Sequence, residues 1–189
     1  FAAFSHRFRA DLYNINEVIN GGSMMSAAFT FRRINVEKDH ETLLKFRRDS
    51  FKVSLGTTDD VVSPNHYLAW MAFQTLFFPD GFLIMEHDGE PVGQLEVEIV
   101  TYMGKRIGYV DLFYLKPGYR GKGYGRLQIE QAEAFLKSQG VNEYHLRVST
   151  TNKPALRFYE KNGFYLLAEE NIGGYPMYRM AKKITGTPK

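Results

Sequence analysis

Between residues 82 and 115 the apolar positions fall into three runs separated by two tight turns. Phe82–His87, Asp88-Gly89-Glu90-Pro91 and Val92–Tyr102 read as strand, turn and strand; after Met103-Gly104-Lys105, Arg106–Leu115 completes a meander. Upstream, Ala27–Ile34 reads as a strand. Leu43, Leu44, Phe46 and Phe51 then mark a helix over Val36–Ser54, and a second helix spans Pro64–Phe78, with Pro64 in its first turn and Asp80-Gly81 closing it. Downstream, Gly123–Gln139 is helical up to Gly140. Arg126, Glu130, Glu133 and Lys137 form its polar stripe, with two i,i+4 opposite-charge pairs, and Tyr124, Leu127, Ala134 and Phe135 lie opposite. Glu143–Val148 is a strand, Asn152–Asn162 a short helix closed by Gly163, and Phe164–Ala168 and Tyr175–Ile184 are closing strands. A meander followed by strand–helix–strand units predicts an α/β domain with a mixed sheet.

The first residues follow a different pattern. Phe4, Phe8, Leu12, Ile15 and Ile19 recur at helical spacing until Asn20-Gly21-Gly22-Ser23 breaks it. Residues 1–23 are expected to be an extension or leader dispensable for chemistry, and residues 24–189 the functional domain. Asp11 and Glu17 argue against a targeting segment.

Composition narrows the chemistry. Cysteine is absent, which excludes disulfides, thiolate zinc sites and a cysteine nucleophile, and fits a cytoplasmic protein. The five histidines are scattered without ligand spacing, so no metal is expected. A net charge of +3, without a dense Lys/Arg run, predicts no nucleic-acid groove. The longest apolar region, Tyr67–Phe78, is too short to cross a bilayer and carries Gln74, so no membrane partner is expected.

The most informative segment runs from Asp111 to Gly125: an apolar strand, then Pro117-Gly118-Tyr119-Arg120-Gly121-Lys122-Gly123-Tyr124-Gly125 opening a helix. Such a turn presents backbone N–H groups to an anion at a helix N-terminus, where Arg120 and Lys122 add positive charge and Gly123 and Gly125 let the backbone approach a ligand. Gly121-Lys122 followed by Gly123 is not a P-loop, and G-x-G-x-G is not the dinucleotide fingerprint.

What remains resembles a known family. Leu115 to Gly125 is similar to the acetyl-CoA-binding motif [RQ]-x-x-G-x-[GA] of the GCN5-related N-acetyltransferases. Asn152-Lys153-Pro154-Ala155-Leu156-Arg157-Phe158-Tyr159-Glu160-Lys161-Asn162-Gly163-Phe164 is similar to that family's second signature, N-x-x-A-x-x-F-Y-x-x-x-G-F. The resemblance covers roughly residues 29–182. It implies a mixed, splayed central sheet flanked by helices, whose strands ending near Leu115 and Val148 part to admit the pantetheine arm. It also implies acetyl-CoA as donor: backbone of Phe113, Tyr114 and Leu115 along the arm, Gly121 to Gly125 at the pyrophosphate with Arg120, Lys122, Tyr124 and Arg126 around it, and Asn152 and Tyr159 on the arm and thioester.

Acetyl transfer to an amine needs a proton acceptor for an alkylammonium of pKa near 10.4 and a proton donor for the departing thiolate. Asp111 is a carboxylate on an apolar strand, hence either a base or the partner of a cation such as Arg147 on the next strand. Glu96 and Glu98 share one face of an alternating strand with Gln94, as a solvated face would or as a second base would. Tyr159 is the expected acid, with core packing the competing reading, and the N–H of Leu115 the expected oxyanion donor. The acceptor amine is walled by His66, Tyr67, Trp70, Met71, Phe73, Gln74, Phe77, Tyr175 and Tyr178, unless these are core, with Asp59 and Asp60 to steer a cation. The expectation is direct transfer from acetyl-CoA to a primary amine of a small molecule, peptide or protein, with homodimer formation open. The alternatives are a non-catalytic acyl-CoA-binding sensor and an enzyme using a longer acyl donor.

Overall fold

The computed structural model describes residues 29–56 and 63–184; the leader at 1–23 and the acceptor-steering Asp59 and Asp60 lie outside the described residues. The elements run β1 (Phe29–Arg33), α1 (Val36–Leu55), α2 (Pro64–Phe77), β2 (Phe82–His87), β3 (Glu90–Tyr102), β4 (Lys105–Leu115), α3 (Gly125–Ser138), β5 (Glu143–Ser149), α4 (Lys153–Lys161), β6 (Tyr165–Ile172) and β7 (Tyr175–Lys183), with a 3-10 turn at Pro117–Tyr119. Among the described residues each predicted element appears, with ends shifted by a few residues. Asn35, Ser63 and Asn152 each stand one residue outside a helix and accept a hydrogen bond from its first turn.

One seven-stranded sheet orders them β1-β2-β3-β4-β5-β7-β6. All neighbours are antiparallel except β4 and β5, which α3 connects as a parallel crossover. That parallel pairing lasts only from Gly108–Tyr144 to Val110–Leu146, although β4 continues to Leu115 and β5 to Ser149. The sheet therefore splits at its middle, as the resemblance implied.

A core forms on each face. Leu95, Val97, Val110, Tyr144, Leu146 and Val148 pack with Ile129, Ala132, Phe135 and Leu136 of α3 and Leu156 of α4. On the opposite face Leu43, Tyr67 and Met71 cover Phe82 and Ile84, and Phe46 packs on Leu112 and Tyr114. Two details of the α3 stripe differ from the pattern reading. Arg126 pairs with Glu130 at 2.9 Å, but Glu133 turns to Lys182 and to the Tyr144 hydroxyl, and Ala134 is exposed.

The solvated-face reading of β3 is overturned. Gln94 and Glu96 are fully buried, because α1 and α2 lie across that face. The aromatic wall divides: Tyr67 and Met71 are buried core, while His66, Phe73 and Phe77 are exposed.

Candidate active site

The split between β4 and β5 opens a cleft of about 820 Å³, walled by α1, the end of β4, the glycine turn, β5 and α4. At the turn, Gly121 and Gly123 hold φ of 74° and 88°, a conformation costly for any residue with a Cβ. No side chain caps α3, in contrast to α1, α2 and α4. Its N-terminus thus offers peptide N–H groups and the positive end of its dipole to an anion. Gly125 has a different reason to be glycine than close approach to a ligand: a Cβ there would stand 2.9 Å from the Phe158 ring, so it lets α4 dock on α3.

The surrounding side chains divide. Arg126 lines the cleft. Arg120 lines it too, but its guanidinium is spent on Asp49 of α1 and on the Leu115 carbonyl, which accepts from Nε at 2.6 Å. Tyr114 likewise donates to Asp49, at 2.9 Å, and packs on Phe46, so it braces α1 against β4. Tyr124 packs against the Phe29 ring, centroids 4.5 Å apart, and not on the cleft, and Lys122 is exposed outside its wall.

Further in, strand geometry sets the backbone. The N–H of Lys116 donates to Val92 on β3, so alternation turns the polar groups of Phe113 and Leu115 the other way, where β5 has departed. With the Leu115 carbonyl taken by Arg120, Phe113 and the Leu115 N–H form an edge without a strand partner, facing whatever enters the cleft. Asn152 lines the same wall, its side-chain oxygen accepting from the Ala155 N–H. Tyr159, one residue after Phe158 on α4, packs against Phe113, Phe158 and Phe164. Burial pushes its phenol above the ordinary value, so the hydroxyl keeps its proton.

At the inner end the register breaks. Glu96 faces Leu112 and Val97 faces Val110, which leaves Asp111 as the extra residue of a β-bulge. It stands one residue beyond the last β4–β5 pair. The expected Arg147 partnership is absent: Arg147 binds Glu170 at 2.5 Å, while Asp111 Oδ2 is buried without a hydrogen-bond partner. Burial, and then the charges of Glu96 and Glu98, push the Asp111 carboxyl from 3.8 up to about 8.

Those neighbours are held from α2. Tyr67 donates to Glu96 Oε1 at 2.6 Å and Gln94 to the same oxygen at 2.7 Å; Gln74, two helical turns after Tyr67, donates to Glu98. Glu96 Oε2 is left with Arg47 Nη1 at 3.9 Å. Burial raises the proton affinity of both glutamates. Four of the five buried polar side-chain atoms without partners among the described residues belong here: Arg47 Nε, Gln94 Oε1, Glu96 Oε2 and Asp111 Oδ2. Buried polar atoms are ordinarily paired, so this concentration sets the spot apart from the rest of the described residues. The sequence pattern missed Tyr67, Gln74 and Arg47 in this role; the seven-residue spacing of Tyr67 and Gln74, on one helix face, was the available signal.

A sequence model described as the acetyltransferase (GNAT) family matches residues 42–164. Over 108 residues the chain is 32% identical to an uncharacterized N-acetyltransferase of Methanocaldococcus jannaschii, covering 56% of this chain and 46% of that protein. The chain thus spans under half the length of this relative. It is 26% identical over 150 residues to spermidine N(1)-acetyltransferase of Thermoplasma acidophilum, covering 70% of this chain and 86% of the relative. The solved structure of PaiA N-acetyltransferase from T. acidophilum in complex with coenzyme A is similar to it with a TM-score of 0.58 at 26% identity, covering 82% of this chain and 98% of that one.

Proposed function

The chain belongs to the acetyltransferase (GNAT) family, and from that footing we propose that it moves the acetyl group of acetyl-CoA directly onto a primary amine docked at Asp111. Acetyl-CoA is the donor, supplying a thioester whose carbonyl the amine attacks. The residues of the cleft divide the remaining work. The uncapped start of α3 with Gly121 and Gly123 takes the pyrophosphate, and the open edge at Phe113 and Leu115 aligns the arm. The Leu115 N–H faces the same gap and serves the developing oxyanion.

Asp111 accepts the proton of the incoming ammonium. An acid with a pKa near 8 is a far better match to an alkylammonium near 10.4 than an ordinary aspartate is. Tyr159 donates to the departing thiolate, its proton retained because its ring is buried among Phe113, Phe158 and Phe164. Glu96 and Glu98 act on Asp111 through their charge and are not themselves at the cleft wall.

One observation carries this reading: a buried carboxylate oxygen without a partner, on a bulge, where the two strands part. A sensor that only binds an acyl-CoA gains nothing from that cost. The test is a panel of primary amines screened for release of free CoA thiol, for which the cysteine-free chain gives no background. Release with at least one amine, abolished in Asp111→Asn, is the expected result. Release unaffected by that substitution would end the role of Asp111.

A further inference from the structure

The acceptor end of the cleft has walls of opposite charge. On the β3–β4 side, Glu96, Glu98 and Asp111 are offset by Arg47. On the β5–β7 side the balance reverses: Arg147 and Arg179 share the single carboxylate of Glu170, at 2.5 and 2.6 Å. The Tyr109 ring lies 5.6 Å from both guanidinium carbons and holds them as a unit. Arg179 is buried in that unit, whereas Arg147 lines the cleft, so Arg147 presents the surplus positive charge to an incoming molecule.

Asp111 and Arg147 are the next residues after the last β4–β5 pair, Val110–Leu146, and are therefore neighbours across the split. Nevertheless they do not pair with each other. Arg147 is drawn away by Glu170, and Asp111 is left open. A carboxyl and a guanidinium, side by side on adjoining strands and both lining the cleft, fit a ligand that carries the complementary pair. A polycation would satisfy Asp111 but would meet Arg147 beside it.

We propose that the acceptor is amphoteric: a small amine of amino-acid type, its ammonium on Asp111 and its carboxylate on Arg147. Paired strands lie about 4.8 Å apart, and Asp111 and Arg147 stand one residue past the last pair, so the acceptor carries its two charges on one small molecule and not at the ends of a long chain. The proposal rests on the reading of Asp111 as the amine dock. It diverges from the polycation for which the T. acidophilum relative is named.

The test is calorimetric titration of the full chain, saturated with CoA, with amino acids and their decarboxylated counterparts: phenylalanine against phenethylamine, methionine against 3-methylthiopropylamine, and lysine against cadaverine, with spermidine alongside. At least one amino acid binding ten-fold or more tightly than its decarboxylated amine is expected. Arg147→Met should collapse that ratio toward one, and Arg147→Lys, which keeps the charge and loses the fork, should retain part of it. The proposal falls if no amino acid binds more tightly than its amine, absence of binding included, or if spermidine outbinds them all. It falls equally if Arg147→Met weakens acid and amine by the same factor. Turnover is scored separately with acetyl-CoA. An amino acid that binds through Arg147 but is not acetylated would be a ligand and not the acceptor, which overturns the proposal, while the role of Asp111 as base is decided separately by Asp111→Asn.

Discussion

Replacing Asp111 by Asn should make the protein less active and more stable, and the stability gain should depend on pH. The carboxyl is held at about 8 in the folded protein against an ordinary 3.8, by burial first and then by Glu96 and Glu98. Between those two values the folded chain keeps a proton that the unfolded chain has released. Folding therefore loses ground as pH rises, by ~1.4 kcal/mol per pH unit. The penalty is small near pH 4 and reaches at most roughly 6 kcal/mol above pH 8. Asn preserves the shape without the charge and escapes it. Thermal melts of both proteins from pH 4 to 9 should coincide at the acid end and diverge toward alkaline pH, with the variant higher. At roughly 2–4 °C per kcal/mol for a chain of this size, the gap at pH 9 should be on the order of 10 °C. Over the same range, wild-type kcat/KM should climb with a midpoint near pH 8 as Asp111 ionises, while the variant loses about 10²–10⁴-fold. A melting difference that stays constant with pH, or a variant that is less stable at pH 9, would show that Asp111 has a partner in the folded state and would refute the reasoning.

Three further perturbations probe the supporting structure. Tyr159→Phe should lower kcat by roughly 10–100-fold as a lost proton donor while calorimetry finds acetyl-CoA affinity nearly unchanged; a large loss of affinity would make Tyr159 a packing residue. Gly125→Ala should destabilise the fold by about 1–3 kcal/mol in chemical denaturation, because the new Cβ meets the Phe158 ring; adding Phe158→Leu should restore part of the loss, and no rescue would refute the contact. Tyr67→Phe removes one of the two donors to Glu96 Oε1. It should raise the proton affinity of Glu96 further and cost about 1–3 kcal/mol at pH 7, less in acid where the carboxyl is protonated anyway; equal losses at pH 7 and pH 4 would count against a charged Glu96.

Local features of the site were legible in the sequence and distant partnerships were not. The glycine turn, the strand before it and the Asn152–Phe164 segment announced themselves because their geometry is dictated within a few residues, by positive φ at Gly121 and Gly123 and by the Asn152 cap. Asp111 stood out by being a carboxylate on an apolar strand. Alternating Gln94, Glu96 and Glu98 gave an ambiguous pattern, since a period of two looks the same whether water or α2 covers the polar face. Only the fold brings Tyr67 and Gln74 over it. Arg120 and Arg147 share that difficulty. A cation beside a glycine turn reads as an anion ligand, and a cation beside Asp111 reads as its partner. Asp49 and Glu170, remote in sequence, claim them instead.

The bulge at Asp111 links the two halves of the site. Along an unbroken strand Val110, Leu112 and Tyr114 would share one face. Here Val110 points into the core under α3, while Leu112 and Tyr114 pack on Phe46 of α1 on the opposite face. The extra residue rephases the strand, and it does so at the point where β5 leaves. Before the bulge, β4 spends its outer edge on pairing with β5. After it, Phe113 and the Leu115 N–H keep an edge without a strand partner facing the gap, ready for the arm of a cofactor. The residue that achieves the phase change has its side chain beside Glu96 and Glu98, where its charge is most resisted. A carboxylate placed there is held near neutrality by its surroundings until a cation arrives. The same insertion thus opens the donor edge and sets the acceptor's base beside it.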